Sequence, residues 1–466
     1  MALIDLHARG KEKKKKTDPA VRIGDAKFPS PFETGLVYSS PARGTWTIAH
    51  TSMLIPGSHQ IFVCPSCCLR GVVLSAEEMG AMDRFSMLEF TDDHILRGDL
   101  EEMIIEGVSE ILCEMDGLPT CVLLYTSCVQ HFLNIDLHLV YRTLAEKFSE
   151  VDFIDCYMLP TMRAHFSPEK MQWRQLYRGL DTSLARNPGA VDLIGSYYEI
   201  DPESEIFDIF RRAEMTVRQL PTIGTYEEYK RMGEAAFCVY FNPIVSFAAE
   251  DLAKRLQMTP VFLPAVYETK QLLENEKRLA DVLGISGPLP DHRALAREAD
   301  QALDRASSVL RDFDIAIDAS AVTRPVSLAK KLFLHGFRIR VLYADAFSPE
   351  EKEDFEYLRV RVPEICILPM TDWRMRAAER KNPAGGRNVL AIGQKAAYYT
   401  GTKYFVNLVE NGGLYGFTGL IKLAKEMTEG ALHPKEPREL ISEKALGCRD
   451  QCARMRHSLP ANTGRA

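Results

Sequence analysis

The sequence lacks both common phosphate-binding motifs, since no GxGxxG follows a predicted strand and no GxxxxGK[ST] occurs anywhere. It has no run of about twenty apolar residues and no apolar signal segment. Positive charge is not in excess, because 57 Lys and Arg face 64 Asp and Glu, for a net charge of −7. We therefore expect a cytoplasmic protein with no membrane and no nucleic-acid partner. If ATP drives its chemistry, another protein must bind the ATP.

The composition is that of a globular protein. Hydrophobic residues make up 46% and charged residues 26% of the 466 residues. This length exceeds the size at which one core keeps growing, so two to four subdomains are expected. The one basic cluster, Lys11 to Lys16, is interpreted as a solvated, mobile N-terminal arm, with docking on an acidic partner as the alternative.

Short β-rich runs alternate with helical stretches, which indicates parallel sheets covered by helices. In the first block we predict a buried strand at 121–125, a helix at 136–148, and at 151–159 the next strand with the loop that leaves it. The second block has predicted strands at 235–241 and 259–265, and the stretch 270–310 is a helical connector broken near 284–290. In the third block the predicted strands lie at 314–318, 339–344, 364–369, 389–393 and 403–408.

Cysteines are the most informative residues. The segment FVCPSCCLRG, Phe62 to Gly71, holds three cysteines within five residues, and YTSC ends at Cys128. Thiolates are the usual ligands of iron–sulfur clusters, so two such loops can wrap one cluster. A zinc ribbon would need a second close pair. Buried free thiols are the alternative, and a disulfide framework is disfavoured by the odd count of eleven cysteines.

Strand ends add a positional argument. Cys128 and Cys156 both fall at or just beyond the C-terminal ends of predicted strands, the edge where open α/β sheets place ligands. Cys113, Cys121 and Cys366 have apolar neighbours, so we predict that they belong to the core. The remaining pair, Cys448 and Cys452, is left unassigned.

Four segments carry a family resemblance. They are HTSMLIPGSH at 50–59, LEFTDDHILRGDLEEMIIEGV at 88–108, LYTSCVQHFLNIDL at 124–137 and GGLYGFTGLIKLAKEM at 412–427. In this order and spacing, the chain resembles the catalytic-component subunits (component 1, molybdenum–iron protein-like) of nitrogenase and nitrogenase-like reductases over nearly its whole length.

The resemblance implies an α/β fold of three Rossmann-like, doubly wound parallel-sheet domains. It also implies a heterotetramer with a homologous second subunit, and an ATP-hydrolysing [4Fe–4S] reductase protein as electron donor. The corresponding division of the chain is a mobile arm at 1–35, a cluster-binding α/β domain at 36–205, a second Rossmann-like domain with its helical connector at 206–310, a third Rossmann-like domain at 311–435 and a C-terminal tail at 436–466.

The cofactor implied by the resemblance is an iron–sulfur cluster at the subunit interface, either P-cluster-like [8Fe–7S] or [4Fe–4S]. Its binding residues would be drawn from Cys64, Cys67, Cys68 and Cys128. The register favours Cys64, Cys68 and Cys128 as metal ligands, with Cys67 as a neighbour. Cys156 is either an extra ligand or a buried thiol.

The chain departs from nitrogenase where that enzyme's catalytic metal cluster is held. The position of the cysteine ligand falls near Asn242, with Cys238 four residues early, and that of the histidine ligand near Val406 or Asn407. Dinitrogen reduction is therefore not expected. The chain is either the partner subunit without the cofactor, or it holds a second large iron–sulfur cofactor differently.

Within the family we favour reduction of a small substrate, carbon–sulfur bond cleavage by a methylthio-alkane reductase, because the cysteine loop matches neither nitrogenase nor the tetrapyrrole reductases. The alternatives are a protochlorophyllide-type tetrapyrrole reductase subunit, a scaffold for assembling a metal cofactor, and a redox-inert α/β protein. His50 and His59 are candidates to donate a proton or to hydrogen-bond a cluster sulfur, and His131 could tune the cluster; each is otherwise a structural histidine.

Overall fold

A computed structural model describes residues 19–442 except 34, 43, 45–47, 79, 160–167 and 384. It contains three separate sheets, each built around parallel strands and covered by helices. The predicted fold class is thereby confirmed. The basic cluster at 11–16 and the cysteines at 448 and 452 lie outside the described residues. No helix in the described part is long and apolar enough to cross a membrane.

The N-terminal segment is not free along its whole length. Strand β1 (Val21–Arg22) pairs antiparallel with the edge of the third sheet, and Ile23 is fully buried in that sheet's core. The mobile arm predicted for 1–35 therefore differs from the structure after residue 18. Two residues of strand are too short to give a recognisable pattern, which is why the sequence did not reveal the pairing.

The first sheet carries the cysteine loop. Its elements are α1 (Ile48–Ser52), β2 (Ser58–Cys64), α2 (Ser66–Glu78), β3 (Phe85–Glu89), α3 (Asp92–Arg97), α4 (Leu100–Glu114), β4 (Cys121–Ser127), α5 (Cys128–Leu133), α6 (Leu137–Lys147), β5 (Asp152–Met158) and α7 (Pro168–Leu176). The four strands are parallel in the order β3-β2-β4-β5. Every residue of β2 and β4 is buried, as expected of central strands covered on both faces.

The second sheet begins earlier than predicted. Its elements are β6 (Asn187–Leu193), α8 (Ile206–Arg212), β7 (Thr216–Gln219), α9 (Tyr226–Arg231), β8 (Ala235–Tyr240), α10 (Ser246–Leu256), β9 (Thr259–Phe262), α11 (Thr269–Val282) and α12 (Arg293–Val309). The parallel order is β7-β6-β8-β9. The domain boundary drawn at 205/206 thus falls after a central strand of this sheet, because β6 opens with Asn-Pro-Gly and resembles a turn.

The third sheet follows the predicted pattern, and all five predicted strands are present. Its elements are β10 (Phe313–Asp318), α13 (Pro325–Leu334), β11 (Arg338–Tyr343), α14 (Lys352–Arg361), β12 (Cys366–Leu368), β13 (Asn388–Ile392), α15 (Gln394–Thr400), β14 (Tyr404–Val406), α16 (Gly416–Leu432) and α17 (Glu439–Ser442). The order is β1-β12-β11-β10-β13-β14, parallel except for β1. The connector helix α12 packs along α16, so it belongs to this core.

Candidate functional site

The candidate cluster site lies at one edge of the first sheet. Strands β2 and β4 are parallel neighbours, with Val63 opposite Thr126. Cys64 is the last residue of β2, and Cys128 is the first residue of α5, directly after β4. Because parallel strands end at the same edge, the two cysteines are brought together by the pairing itself.

Local hydrogen bonds fix the start of α5. Ser127 is the N-cap residue and forms a capping box with Gln130, whose Oε1 accepts the Ser127 N–H at 2.9 Å. The Gln130 side chain also donates from Nε2 to the carbonyl oxygen of Val63 at 2.9 Å. The first turn of α5 is therefore fastened to the end of β2, which holds Cys128 at a fixed position beside Cys64.

Cys67 and Cys68 complete the group from the first turn of α2. Their sulfurs are 3.9 Å apart. Cys64 is fully buried, Cys68 and Cys128 are half-buried, and Cys67 is exposed. The four thiols of this cysteine group thus lead from the interior to the protein surface.

The electrostatics of the group show that its members are close. Burial first, and then the charges of Cys68, Cys67 and Cys128, raise the pKa of Cys64 to about 12. Burial also raises the pKa of Cys68, with the hydrogen bond and charge of Cys67 next and the charge of Cys128 after them. Such thiols stay protonated unless a metal replaces their protons, and metal coordination does so readily.

Cys156 belongs to a different neighbourhood. It is buried on β5 opposite Tyr125. Burial raises its pKa, followed by the charge of Asp155, while a hydrogen bond with Tyr125 lowers it. The Tyr125 hydroxyl in turn bonds Ser52. The structure brings together Cys64, Cys67, Cys68 and Cys128, and it does not place Cys156 with them.

Two of the three candidate histidines, His59 and His131, form hydrogen bonds through their side chains. His59 lies at the start of β2, five residues before Cys64 and so about 16 Å from it along the strand. Its Nε2 bonds Ser86 at 2.7 Å, and burial lowers its pKa to about 4. His131, one turn after Cys128, bonds Thr126 through Nε2 at 3.1 Å. His50 is buried on α1.

Among the cysteines predicted to be core residues, the structure corrects one. Cys121 is buried, Cys366 is half-buried, and Cys113 is exposed. The buried stripe of α4 consists of Leu100, Ile104, Val108 and Leu112. Cys113 follows that stripe by one residue and is therefore rotated by about 100° away from the core.

The thiol donor set fits an iron–sulfur cluster by ligand type. Within the described residues, no three His, Cys, Asp or Glu side chains are arranged to hold one metal ion. Four thiols from two loops, two of them half-buried and one exposed, are the ligand type that iron–sulfur clusters use.

A second feature is a recess between the second and third sheets, here called the inter-sheet recess. It has about 400 Å³ of empty space, counted to its open mouth. The residues with polar side chains in its lining are Ser196, Asn242, Thr323, Glu410, Asn411 and Tyr415. These residues follow β6 and β8 of the second sheet and β10 and β14 of the third. The recess therefore lies at the carboxyl ends of two strands from each sheet. Ligands of open α/β sheets bind at this edge.

Glu410 contributes a carboxyl group to that lining. In the described part of the chain, no hydrogen bond or ion pair to its carboxyl group is found. Burial raises the pKa of Glu410 to about 8, and the charge of Glu169 on α7 adds to the effect. Asn411 donates to the Thr323 hydroxyl at 3.4 Å, and Asn242 accepts the Ile244 N–H at 3.1 Å.

The turn that carries Glu410 is tightly held. Glu410 and Asn411 have φ values of 48° and 62°, in the left-handed region that non-glycine residues rarely adopt. Further along, Gly416 has φ 73°, and a side chain there would overlap the Glu205 carboxylate. That carboxylate accepts the N–H of Phe417 at 2.5 Å and of Thr418 at 3.2 Å. A residue near α8 therefore caps α16 and clamps the two sheets together.

The recess only partly matches the positions predicted for cofactor ligands. Asn242 lines it. Val406 is instead buried in the third core, and Asn407 bonds Gln394 at 2.8 Å. Sequence reasoning missed Glu410, whose ENGG context signals only a turn.

Comparisons with known proteins agree with this architecture. No protein-family model and no curated protein matches the chain. A solved structure described as nitrogenase Cp1 at pH 6.5 matches with a TM-score of 0.63 and 14% identity, covering 86% of this chain and 94% of its own. A second, at pH 5, matches with a TM-score of 0.57 and 13% identity, covering 91% and 96%. The chain therefore shares its fold with these nitrogenase chains.

Proposed function

We propose that this protein is a catalytic-component subunit of a nitrogenase-like, ATP-dependent reductase, and thus an oxidoreductase. The observation that carries the proposal is the cysteine group. Two parallel strands of a nitrogenase-type fold end in four neighbouring thiols, Cys64, Cys67, Cys68 and Cys128.

Each part of the cysteine group has its own role in this proposal. Cys64 and Cys128 are held by the sheet and by the Gln130 hydrogen bonds, so they would fix a cluster against the domain. Cys67 and Cys68 open toward the surface, where a second chain can approach. A bound [8Fe–7S] or [4Fe–4S] cluster would accept and pass single electrons.

The surface beside the cysteine group supports a protein partner there. Phe132 is 74% exposed and Leu133 47% exposed, and both lie on α5 within five residues of Cys128. Exposed apolar side chains that adjoin one another are a feature of protein interfaces. We assign this surface to a homologous second subunit within a heterotetramer. The chain has no phosphate-binding motif, so an ATP-hydrolysing [4Fe–4S] protein would supply the electrons.

For the substrate we propose a methylthio-alkane whose carbon–sulfur bond is cleaved. The inter-sheet recess favours a small molecule over a tetrapyrrole, because its empty space is only about 400 Å³ even when it is counted to the open mouth. A cofactor-assembly scaffold would differ in behaviour, since it would load and release a cluster but would not turn over with the reductase protein.

The test is anaerobic iron and sulfide quantitation with electron paramagnetic resonance on the chain purified with the subunit that binds it. About eight irons per half-complex would support an interfacial cluster alone, and roughly sixteen would add a second large cluster. Turnover of dimethyl sulfide with ATP and the reductase protein separates the enzyme from the scaffold. An iron-free, colourless complex would contradict the proposal.

A further inference from the structure

We propose that Glu410 is the proton donor of the inter-sheet recess and delivers a proton to the substrate bound there. This inference rests on the proposed function, and it adds a catalytic residue to it. The geometry behind it is the placement of one carboxyl group, to which no described residue forms a hydrogen bond or ion pair, among uncharged polar side chains at the carboxyl edge of two sheets.

The other polar residues of the recess are poor proton donors. Asn242 has no acidic proton and uses its carbonyl oxygen to cap the turn at Ile244. Asn411 and Thr323 are bonded to each other. Glu169 on α7 and Tyr197 in the loop after β6 interact electrostatically with Glu410, and neither lines the recess. Tyr415 does line it, but burial raises the pKa of its hydroxyl above the ordinary value for tyrosine, so it is a much weaker acid than Glu410, and the Asn275 side chain donates to that hydroxyl at 3.0 Å.

The backbone conformation of Glu410 is unfavourable for a glutamate, which indicates that the residue is kept for its function. Glu410 adopts φ 48°, a conformation that Gly or Asn would adopt at lower cost. It is held there because its N–H donates to the Ser320 carbonyl at 2.8 Å, and the next N–H donates to Ala321 at 2.8 Å. Strained positions of this kind cluster at functional sites.

The protonation state suits an acid. Burial first, and the charge of Glu169 second, raise the pKa of Glu410 to about 8. The carboxyl group is therefore mostly protonated at pH 7, and its pKa lies near the operating pH, where general acids are most effective. Burial raises the pKa of Tyr197 as well, so it remains neutral in this range.

The proton balance defines the step. Cleaving CH3–S–R consumes two electrons and two protons and releases CH3–SH and R–H. The electrons come from the ATP-hydrolysing reductase protein of the proposed function. Glu410 supplies the proton that the sulfur takes up as the carbon–sulfur bond breaks. The second proton reaches the carbon of R from solvent through the open mouth of the recess, and the Glu410 carboxylate is reprotonated by the same route.

The decisive experiment compares Glu410→Gln with Glu410→Asp in the complete complex, using dimethyl sulfide as the substrate. Gln keeps the shape but has no acidic proton, so kcat should fall by about 100-fold or more while KM changes by less than about threefold. Asp keeps the acid and tolerates the left-handed backbone, so it should recover at least about tenfold of that loss. Iron content should not change in either variant.

A Glu410→Gln complex that retains more than about a tenth of the wild-type kcat would overturn the inference. So would a Glu410→Asp complex as inactive as Glu410→Gln, because the role would then be structural. Low iron in the wild-type complex, by contrast, would count against the proposed function and not against Glu410.

Infrared spectroscopy tests Glu410 without turnover. The wild-type chain at pH 7 should show a protonated carboxyl band that titrates near pH 8, is absent from Glu410→Gln, and shifts when dimethyl sulfide is added. If the band is present in Glu410→Gln or is unmoved by dimethyl sulfide, the inference is wrong. The infrared measurement also tests the inference if the Glu410→Gln complex fails to assemble. In that case a change in the position of the band in Glu410→Asp assigns the band to residue 410.

Discussion

The cysteine edge of the first sheet and the inter-sheet recess are built in opposite ways. The cysteine group consists of neighbours within one sheet, and it opens onto an exposed apolar surface beside Phe132. The recess is made by two sheets of the same chain, clamped by Glu205 at the start of α16. In the proposed function the first region is completed by another chain, whereas the second is formed by long-range packing within this chain.

The largest expected effect separates the two regions. We expect Cys128→Ala to lower iron content and to reduce turnover by more than about 100-fold, because it removes one donor of the cysteine group. The recess should be unaffected, so the infrared shift of Glu410 on adding dimethyl sulfide should persist. The matched control is Cys113→Ala, which removes an exposed thiol outside the group. Full iron and activity in Cys128→Ala would remove Cys128 from the site.

The cysteine group and the inter-sheet recess also differ in how well the sequence predicts them. Strand β4 was predicted because an uninterrupted apolar run precedes Cys128, and neighbouring parallel strands necessarily end together. These are local signals. To predict that the thiols lie together, one needs only the pairing of β2 with β4 in addition, so most of the cysteine group can be predicted from the sequence.

The inter-sheet recess cannot be predicted from the sequence, because it is formed by contacts between segments that are distant along the chain. Strand β6 was missed since it opens with Asn-Pro-Gly and places the buried Asp192 among its apolar residues. Glu410 lies in a turn, and nothing local indicates that this turn meets the loops after β6 and β8. The error at Cys113 has a simpler cause, a one-residue offset from the buried stripe of α4.

A second prediction concerns a substitution that disrupts the packing beside the inter-sheet recess and leaves the cysteine group unchanged. We expect Gly416→Ala to destabilise the chain, because Ala is strained at φ 73° and its Cβ would overlap the Glu205 carboxylate. The backbone part costs about 1–2 kcal/mol, and the steric part about 1–3 kcal/mol in addition. The measurement is urea unfolding of the purified chain.

Gly98→Ala is the matched control for that experiment. Gly98 has φ 71°, and a Cβ there would meet nothing within 4 Å. It should therefore show only the backbone cost. Equal losses of stability in the two variants would mean that the Glu205 clamp does not depend on the close approach at Gly416.

The smallest expected effect concerns the helices beside the recess. His292, at the start of α12, bonds Glu276 through Nδ1 at 3.0 Å and Asp208 through Nε2 at 2.9 Å. The hydrogen bond to Glu276 is the largest cause that raises its pKa to about 9. Because the folded-state pKa lies above the unfolded value of about 6.5, this stabilisation is complete below pH 6.5 and is lost as pH rises through 9.

We therefore expect the free energy of unfolding to fall between pH 6.5 and 9 in the wild-type chain, and to fall less in His292→Gln. At pH 6.5 the variant should be less stable by about 1–2 kcal/mol, since it loses two hydrogen bonds to carboxylates. His433→Gln is the control, because His433 is 71% exposed and its partner Glu429, at 3.4 Å, is exposed as well. Parallel pH profiles for wild type and His292→Gln would show that the link between α8, α11 and α12 does not depend on the charge of His292. Turnover through the cysteine edge should be the same in both variants at pH 6.5, which would place the effect on the recess side of the molecule.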